Sequence, residues 1–196
     1  PTLFYFDSNF VPYEFVGQGT EENPYLISNP SDLGAIWQQP DRYYQLQNDI
    51  DLTGINWALP VIPEFDGVFN GNDKIIFNLK ISGGSFLGLF GSLNNNTEVT
   101  NLGLENTFIT GEYDTDSIGS LCGYNNFGSI ANCYANGLIT GGDKSSYLGG
   151  LCGYNNYGNI TNCYTNSSIT GSGESYDLGG LCGYNNYGSI ANCYTN

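Results

Sequence analysis

The chain has 196 residues, of which 40% are apolar and 15% aromatic, so it can bury a core and is not expected to be disordered. Its 19 acidic and 4 basic residues give a net charge of −15, which argues against binding to nucleic acids or anionic membranes, because both need clustered Lys and Arg. No apolar run approaches the roughly 18 residues of a membrane span, so no direct membrane insertion is predicted.

A short helix is predicted early in the chain. Asn29 is a suitable N-cap, Pro30 suits the first helical position and Pro40 would end the helix. Strands are predicted at residues 43–52 and 68–81.

Within the second predicted strand, four apolar residues alternate with polar or lysine neighbours, namely Ile75, Phe77, Leu79 and Ile81. We interpret residues 1–60 as an N-terminal cap for the repeats that follow, and an independent small domain is the alternative.

The rest of the chain repeats with a period of 30 residues. The units read GSLCGYNNFGSIANCY at 119–134, GGLCGYNNYGNITNCY at 149–164 and GGLCGYNNYGSIANCY at 179–194. A divergent copy precedes them, with a register slip of one or two residues. The predicted boundaries are about 88–118, 119–148, 149–178 and 179–196. The last unit is incomplete, and we expect further repeats beyond it.

Each unit has short β-favouring stretches broken by Gly and Asn and has no helical period, which excludes a helical solenoid. Such a unit can form one coil of a parallel β-helix, with strands about 4.8 Å apart. The predicted fold is therefore an all-β, right-handed parallel β-helix over residues 61–196, with a cap that contains one short helix. A propeller or meander is the alternative. Asn125 and Asn126 are expected to lie in turns.

The G-L-x-G core and the downstream I-x-N-C-Y resemble the GLUG motif repeats of bacterial cell-surface and secreted proteins, over residues 88–196. Residues 17–27, 48–52 and 65–71 resemble the lead-in that often precedes such repeats. The resemblance implies an extracellular or cell-surface location, a β-helical adhesin-like architecture and a structural or adhesive role. Its partners would be extracellular or cell-surface glycans or proteins.

Six cysteines occupy two repeated positions. In the divergent copy, Phe90 and Leu102 stand in their places, so both positions are expected to face the core. Because the two cysteines occur together or not at all, the predicted disulfides are Cys122–Cys133, Cys152–Cys163 and Cys182–Cys193. Free buried thiols and disulfides between coils are the alternatives. Zinc and a catalytic thiol are disfavoured because the chain has no histidine.

Carboxylates are the remaining candidates for chemistry. Asp49 with Asp51, or Asp66 with Asp73, could serve a polysaccharide lyase or glycoside hydrolase, but turn and strand-end roles are preferred.

The loop between units has a weak calcium candidate in Glu112, Asp114 and Asp116, which lacks the glycine and terminal glutamate of an EF-hand, so a solvated acidic loop is preferred. No other cofactor is expected.

Three aromatic rows are predicted to stack in register: Tyr124, Tyr154 and Tyr184; Phe127, Tyr157 and Tyr187; and Tyr134, Tyr164 and Tyr194. A row that faces solvent would suit sugars, and the first two rows are the candidate ligand surface. The preferred interpretation is that stacking stabilises adjacent coils by about 0.5–1.5 kcal/mol per pair.

The leading hypothesis is a non-catalytic extracellular structural or adhesive module that acts as a stalk or a display surface. One alternative is a carbohydrate-active β-helix enzyme. Another is a subunit of a filament or surface layer, which would associate end to end.

Overall fold

The computed structural model describes residues 11–196, which form stacked coils of short strands. The strands are β1 Tyr25–Ile27, β2 Tyr43–Leu46, β3 Ile50–Asp51, β4 Ile62–Phe65, β5 Val68–Phe77, β6 Lys80–Gly83, β7 Phe90–Leu93, β8 Glu98–Gly111, β9 Asp116–Gly119, β10 Cys122–Asn126, β11 Ser129–Ala131, β12 Tyr134–Asp143, β13 Ser146–Gly149, β14 Cys152–Asn156, β15 Asn159–Thr161, β16 Tyr164–Thr165, β17 Ser168–Ser172, β18 Tyr176–Gly179, β19 Cys182–Asn186, β20 Ser189–Ala191 and β21 Tyr194–Thr195. Helix α1 spans Pro30–Ala35 and a 3-10 helix spans Ile36–Gln38.

The strands form three sheets that run along the stack. The long sheet has 13 strands, with β1-β2-β5-β8-β11-β15-β20 as its main path. The second sheet has the order β4-β7-β10-β14-β19, which is one strand from each of five coils, and the third has the order β9-β13-β18. Every pairing between these strands is parallel, which confirms the predicted parallel β-helix.

The 30-residue period of the sequence is the register of the stack. Cys152 pairs with Cys122 on one side and with Cys182 on the other. In the divergent copy, Phe90 pairs with Cys122 at an offset of 32 residues and Val99 pairs with Ile130 at an offset of 31. The predicted slip of one or two residues is therefore present, and the same inward positions are kept across it.

One apolar core fills the inside of the coils without interruption. It runs from Ile27 and Leu33 to Cys163, and every strand from β1 to β15 contributes at least one buried side chain to it. Phe90 is fully buried, as is Cys122, and Leu102 and Cys133 are 1% exposed. Both cysteine positions therefore face the core, as predicted from the apolar residues that replace them.

The predicted helix forms, and it is capped as expected. The Asn29 side-chain oxygen accepts hydrogen bonds from the backbone N–H groups of Ser31 at 2.9 Å and Asp32 at 3.1 Å, and Pro30 is the first helical residue. Parallel stacking already begins at β1, which pairs with β2, and β2 pairs with β5. The long sheet thus crosses residue 60, where the sequence placed the end of the cap.

The two predicted strands of this region are each broken. Residues 43–52 contain β2 and β3, and residues 68–81 contain β5 and the start of β6. The second break lies at Asn78, which has a φ of 60°. This left-handed residue changes the phase of the alternation. Before it, Ile76 is fully buried, although the alternation predicted that Ile75 and Phe77 would face the core.

The expected turn at Asn125 and Asn126 is wrong, because both residues lie in β10. The left-handed corners fall instead at Phe127, with a φ of 66°, and at Asn132, with a φ of 56°. Asn125 is fully buried and donates to the Asn155 side-chain oxygen at 2.8 Å. The repeated asparagine pair therefore supplies an internal hydrogen-bond ladder rather than a turn.

Candidate functional site

The cysteines form two rows of free thiols, so the three predicted intra-coil disulfides are absent from the structure. The reason is the in-register parallel stacking, which brings each cysteine beside its equivalent in the next coil. Cys122 pairs with Cys152, and the Cys133 backbone N–H lies 3.4 Å from Cys163 Sγ.

Burial makes most of these thiols poor nucleophiles. Burial raises the pKa of Cys152, and a hydrogen bond with Cys152 together with burial raises the pKa of Cys182. A hydrogen bond with Cys163, followed by burial, likewise raises the pKa of Cys133. Cys163 differs because hydrogen bonding to Cys133 lowers its pKa, but its side chain is fully buried.

Alkylation of the native protein should therefore be limited to the end of the stack. Cys182 and Cys193 are partly exposed, whereas the other four cysteines are buried. With iodoacetamide and no reductant, we expect at most two modifications in the native state, both slow because burial helps to raise the pKa of Cys182 and Cys193, and six in denaturant, as measured by intact mass. Fewer than six in freshly denatured protein would show that disulfides exist.

The aromatic rows stack as predicted, and their geometry decides what they can offer a ligand. Phe127 and Tyr157 have ring centroids 5.0 Å apart and planes 5° apart, and Tyr157 and Tyr187 are 5.2 Å and 14° apart. Such offset stacking turns each ring face toward the next ring. The row therefore presents ring edges and hydroxyl groups to solvent rather than a stripe of flat faces.

The row of Tyr124, Tyr154 and Tyr184 belongs to a larger aromatic cluster. Its rings are tilted by 43° and 59° to one another. Tyr147 packs 5.2 Å from Tyr154 and 5.4 Å from Tyr184, and Tyr176 lies 6.1 Å from Tyr147. These rings mainly cover each other, which favours stabilisation of the stack.

The weak calcium candidate is an exposed loop. Glu112, Asp114 and Asp116 are all exposed, and Asp114 has a left-handed φ of 59°. Among residues 11–196, no three His, Cys, Asp or Glu side chains gather in a way that could hold a metal ion. The three carboxylates are therefore solvated, and the weak calcium candidate stays a prediction.

The four aspartates considered for catalysis, Asp49, Asp51, Asp66 and Asp73, are exposed. Asp49 accepts from the Ile75 backbone N–H at 2.9 Å. Asp51 accepts from Thr53 Oγ1 and Asn78 Nδ2, both at 2.7 Å, and these hydrogen bonds, with Thr53 first, lower its pKa. A glycosidase acid needs a raised pKa instead.

Three concave surfaces lie around the first coils. We call the first the tryptophan cavity: it has a volume of about 390 Å³ and contains Trp37, Trp57, Leu59 and Asn56. The amide cavity, of about 400 Å³, contains the residues Thr53, Asn56, Asn78, Lys80, Asn106 and Phe108. A further cavity of about 370 Å³ lies beside Tyr43 and includes Glu21 and Glu98.

Sequence reasoning missed the tryptophan and amide cavities. The one signal available was that both tryptophans of the chain fall within residues 37–57, in a segment interpreted as a cap. The two tryptophans come together only because the chain closes into coils. The Trp57 backbone N–H donates to the Lys80 carbonyl at 2.9 Å, so residues of different coils line one surface.

This fold, with its inward cysteine and asparagine rows, defines a parallel β-solenoid built from sequence repeats. Those repeats are GLUG repeats: the GLUG motif matches residues 115–140, 144–170 and 174–196. The divergent copy predicted at about 88–118 lies mostly outside the matched residues, although its strands continue the same sheets.

Two relatives each match more than half of this chain. Halomucin of Haloquadratum walsbyi is 37% identical over 124 residues, which are 57% of this chain and 1% of halomucin. A protein of Evansella cellulosilytica, assigned as a Gly-rich membrane protein, is 38% identical over 129 residues, or 59% of this chain and 15% of the relative. The chain thus spans only a small part of either relative.

A solved structure shares the fold. The crystal structure of a protein from Bacteroides ovatus, assigned as an immunoglobulin A1 protease, has a TM-score of 0.65 and covers 90% of this chain and 76% of its own. At 20% identity the likeness concerns the fold alone. Within residues 11–196, no helix has the length and apolar character that a membrane crossing requires.

Proposed function

We propose that this chain is a non-catalytic structural module of a larger extracellular or cell-surface protein, in which the stacked coils form a stiff spacer that displays other surfaces. The observation that carries the proposal is the unbroken stack of side-chain ladders. From Cys122 onward, each coil repeats the same contacts on the next coil without insertion, which is the arrangement of a rod whose length is set by repeat number.

Two asparagine ladders illustrate this stiffness. On the outside, Asn162 Nδ2 donates to Asn132 Oδ1 and Asn192 Nδ2 donates to Asn162 Oδ1, both at 3.2 Å. On the inside, Asn155 donates to Asn185 at 2.7 Å. Every added coil would extend both ladders by one hydrogen bond, so neighbouring coils resist bending apart.

The relatives support the extracellular placement in the proposal. They are halomucin and a protein assigned as a Gly-rich membrane protein, and in both the matched residues are a small part of the whole. A spacer within a long surface protein is consistent with that proportion. The net charge of −15 would also keep such a rod well solvated.

A carbohydrate-active enzyme remains the competing proposal, and it is tested separately. Reducing-end release from neutral and acidic polysaccharides would be measured for the wild type and for Asp51→Asn. We expect no turnover by either protein. Turnover that is abolished by Asp51→Asn would overturn the non-catalytic role, as would loss with Asp49→Asn.

Insertion of extra repeats provides the direct test of the spacer role. We expect each additional copy of residues 149–178, inserted in frame, to lengthen the particle by about 4.8 Å and to leave its cross-section unchanged. Small-angle X-ray scattering on variants with one, two and four added copies would measure both dimensions. A cross-section that grows, or a length that does not scale with copy number, would contradict the proposal.

A further inference from the structure

The tryptophan cavity and the amide cavity adjoin, because Asn56 is part of both. Each has the volume of an ordinary small-ligand cleft, for which about 300–1,000 Å³ is typical. Trp57 follows Asn56 directly and bridges to Ile81 in parallel register, which fixes this segment against β6. The two cavities therefore form one continuous surface on the first coils.

The tryptophan cavity offers exposed apolar faces. Trp37 is 53% exposed and Leu59 is 67% exposed. Trp57 contacts the position of Gly34 so closely that a Cβ there would lie 3.3 Å from the indole ring. Its Nε1 is buried and has no hydrogen-bond partner within residues 11–196, so the indole is an unused donor beside this cleft.

The amide cavity offers polar groups that are held in place. Asn106 donates to Asn78 Oδ1, and Asn78 Nδ2 in turn donates to Asp51 at 2.7 Å. By contrast, the side chains of Asn56 and Lys80 make no hydrogen bond or ion pair to the described part of the chain. The cavity thus combines a fixed amide network with free donors and acceptors.

The charge of this surface differs from that of the chain as a whole. No Asp or Glu lines either cavity, whereas the cavity beside Tyr43 includes Glu21 and Glu98. Lys80 is one of only 4 basic residues in the chain. The carboxylate that borders the amide cavity is that of Asp51, and it already accepts hydrogen bonds from Thr53 and Asn78.

We propose that these adjoining cavities are one binding site for an oligosaccharide. One sugar ring packs on Trp37, and the hydroxyl groups of the oligosaccharide pair with Asn56, Asn106 and Lys80. A pyranose has an apolar C–H face and a rim of hydroxyl groups that both donate and accept. Aromatic faces match the first, and amides match the second because they also donate and accept. The exposed ring of Phe108, at 42%, supplies a second aromatic surface at the far end.

This site rests on the proposed display role, since a spacer can carry a binding surface at its first coils. It also places the ligand away from the tyrosine rows of the repeats. There the inner rings of a row stack on their neighbours, whereas Trp37 stacks on no aromatic ring within residues 11–196.

Binding can be followed with the protein's own fluorescence, because its two tryptophans both line the site. Cellohexaose and maltohexaose serve as neutral probes and hexagalacturonic acid as the acidic probe, with calorimetry as a second measurement. We expect saturable binding of at least one probe with a change in emission. Trp37→Ala should weaken it about tenfold, and Asn56→Ala should also weaken it. Lys80→Gln should affect the acidic probe more than a neutral one.

Tyr187→Ala is the matched control, since Tyr187 is 80% exposed in a repeat row, and it should leave affinity unchanged. The absence of binding by all three probes would overturn the site, as would equal binding by Trp37→Ala and the wild type. Loss of binding in Tyr187→Ala would move the ligand to the repeats and also overturn it. The spacer role is tested by the particle length from scattering, and the binding site is tested by fluorescence and calorimetry. A protein that binds no probe could therefore still lengthen with added repeats, and a protein that does not lengthen could still bind a probe.

Discussion

Replacement of Asn155 by alanine is expected to lower the free energy of unfolding by about 3–5 kcal/mol. Asn155 is fully buried, accepts from Asn125 Nδ2 at 2.8 Å, and donates to the Gly158 carbonyl at 3.1 Å and to Asn185 Oδ1 at 2.7 Å. The change would leave the buried amide of Asn125 and the buried carbonyl of Gly158 each short of a partner, whereas Asn185 lies at the exposed end of the ladder.

Asn156→Ala is the matched control for this effect. Asn156 is next in the chain and also sits in a ladder, donating to Asn126 at 2.9 Å and accepting from Asn186 at 2.8 Å. Its ladder is only partly buried, so water can replace the lost bonds and we expect a loss of about 1 kcal/mol or less. Equilibrium urea denaturation followed by circular dichroism would compare them. Equal losses would show that the buried ladder contributes no more than the outer one.

Gly153→Ala is expected to destabilise the protein by about 3 kcal/mol, although it adds a single methyl group. A Cβ at this position would lie 2.6 Å from the Gly123 carbonyl oxygen, 2.6 Å from Ile118 N and 2.7 Å from the Ser117 carbonyl carbon. All three atoms belong to the backbone, which cannot move aside as a flexible side chain can. The second glycine of the G-L-C-G core is thus explained by close approach of adjacent coils.

The control for this substitution is Gly84→Ala. A Cβ on Gly84 would meet no atom within 4 Å, so its effect should be within about 0.5 kcal/mol. Thermal and urea denaturation of both variants would test the difference. If Gly153→Ala were as mild as Gly84→Ala, the coils would be spaced more loosely than the structure indicates, and another reason for the repeated glycine would be needed.

The buried asparagine ladder also shows where the repeats begin. Asn125 Oδ1 is buried and has no hydrogen-bond partner within residues 11–196, because the preceding coil offers Leu93 at the paired position. The ladder therefore starts at the first unit that carries the asparagine pair. A comparison of the divergent copy with the three regular ones could have located this start, but not the burial of the amide.

The sequence by itself determined the architecture. Units in constant phase, with no insertion between them, can satisfy the same contacts repeatedly only by stacking in parallel, and the β-favouring residues exclude helices as the stacked element. The replacement of cysteines by Phe90 and Leu102 also determined which side of each coil faces the core, because a buried position accepts apolar side chains of different size. The helix cap at Asn29 needed only local rules.

Only the tertiary structure decided the features that depend on contacts between coils. Whether a cysteine meets its partner in the same coil or its equivalent in the next is set by strand register, and in-register stacking favours the latter. The tertiary structure also placed the left-handed corner at Phe127 rather than at Asn125, and it covered the faces of the tyrosine rows by stacking them. Finally, it joined Trp37, Trp57 and Lys80 at one surface, because coil closure brings together residues that are far apart in the chain.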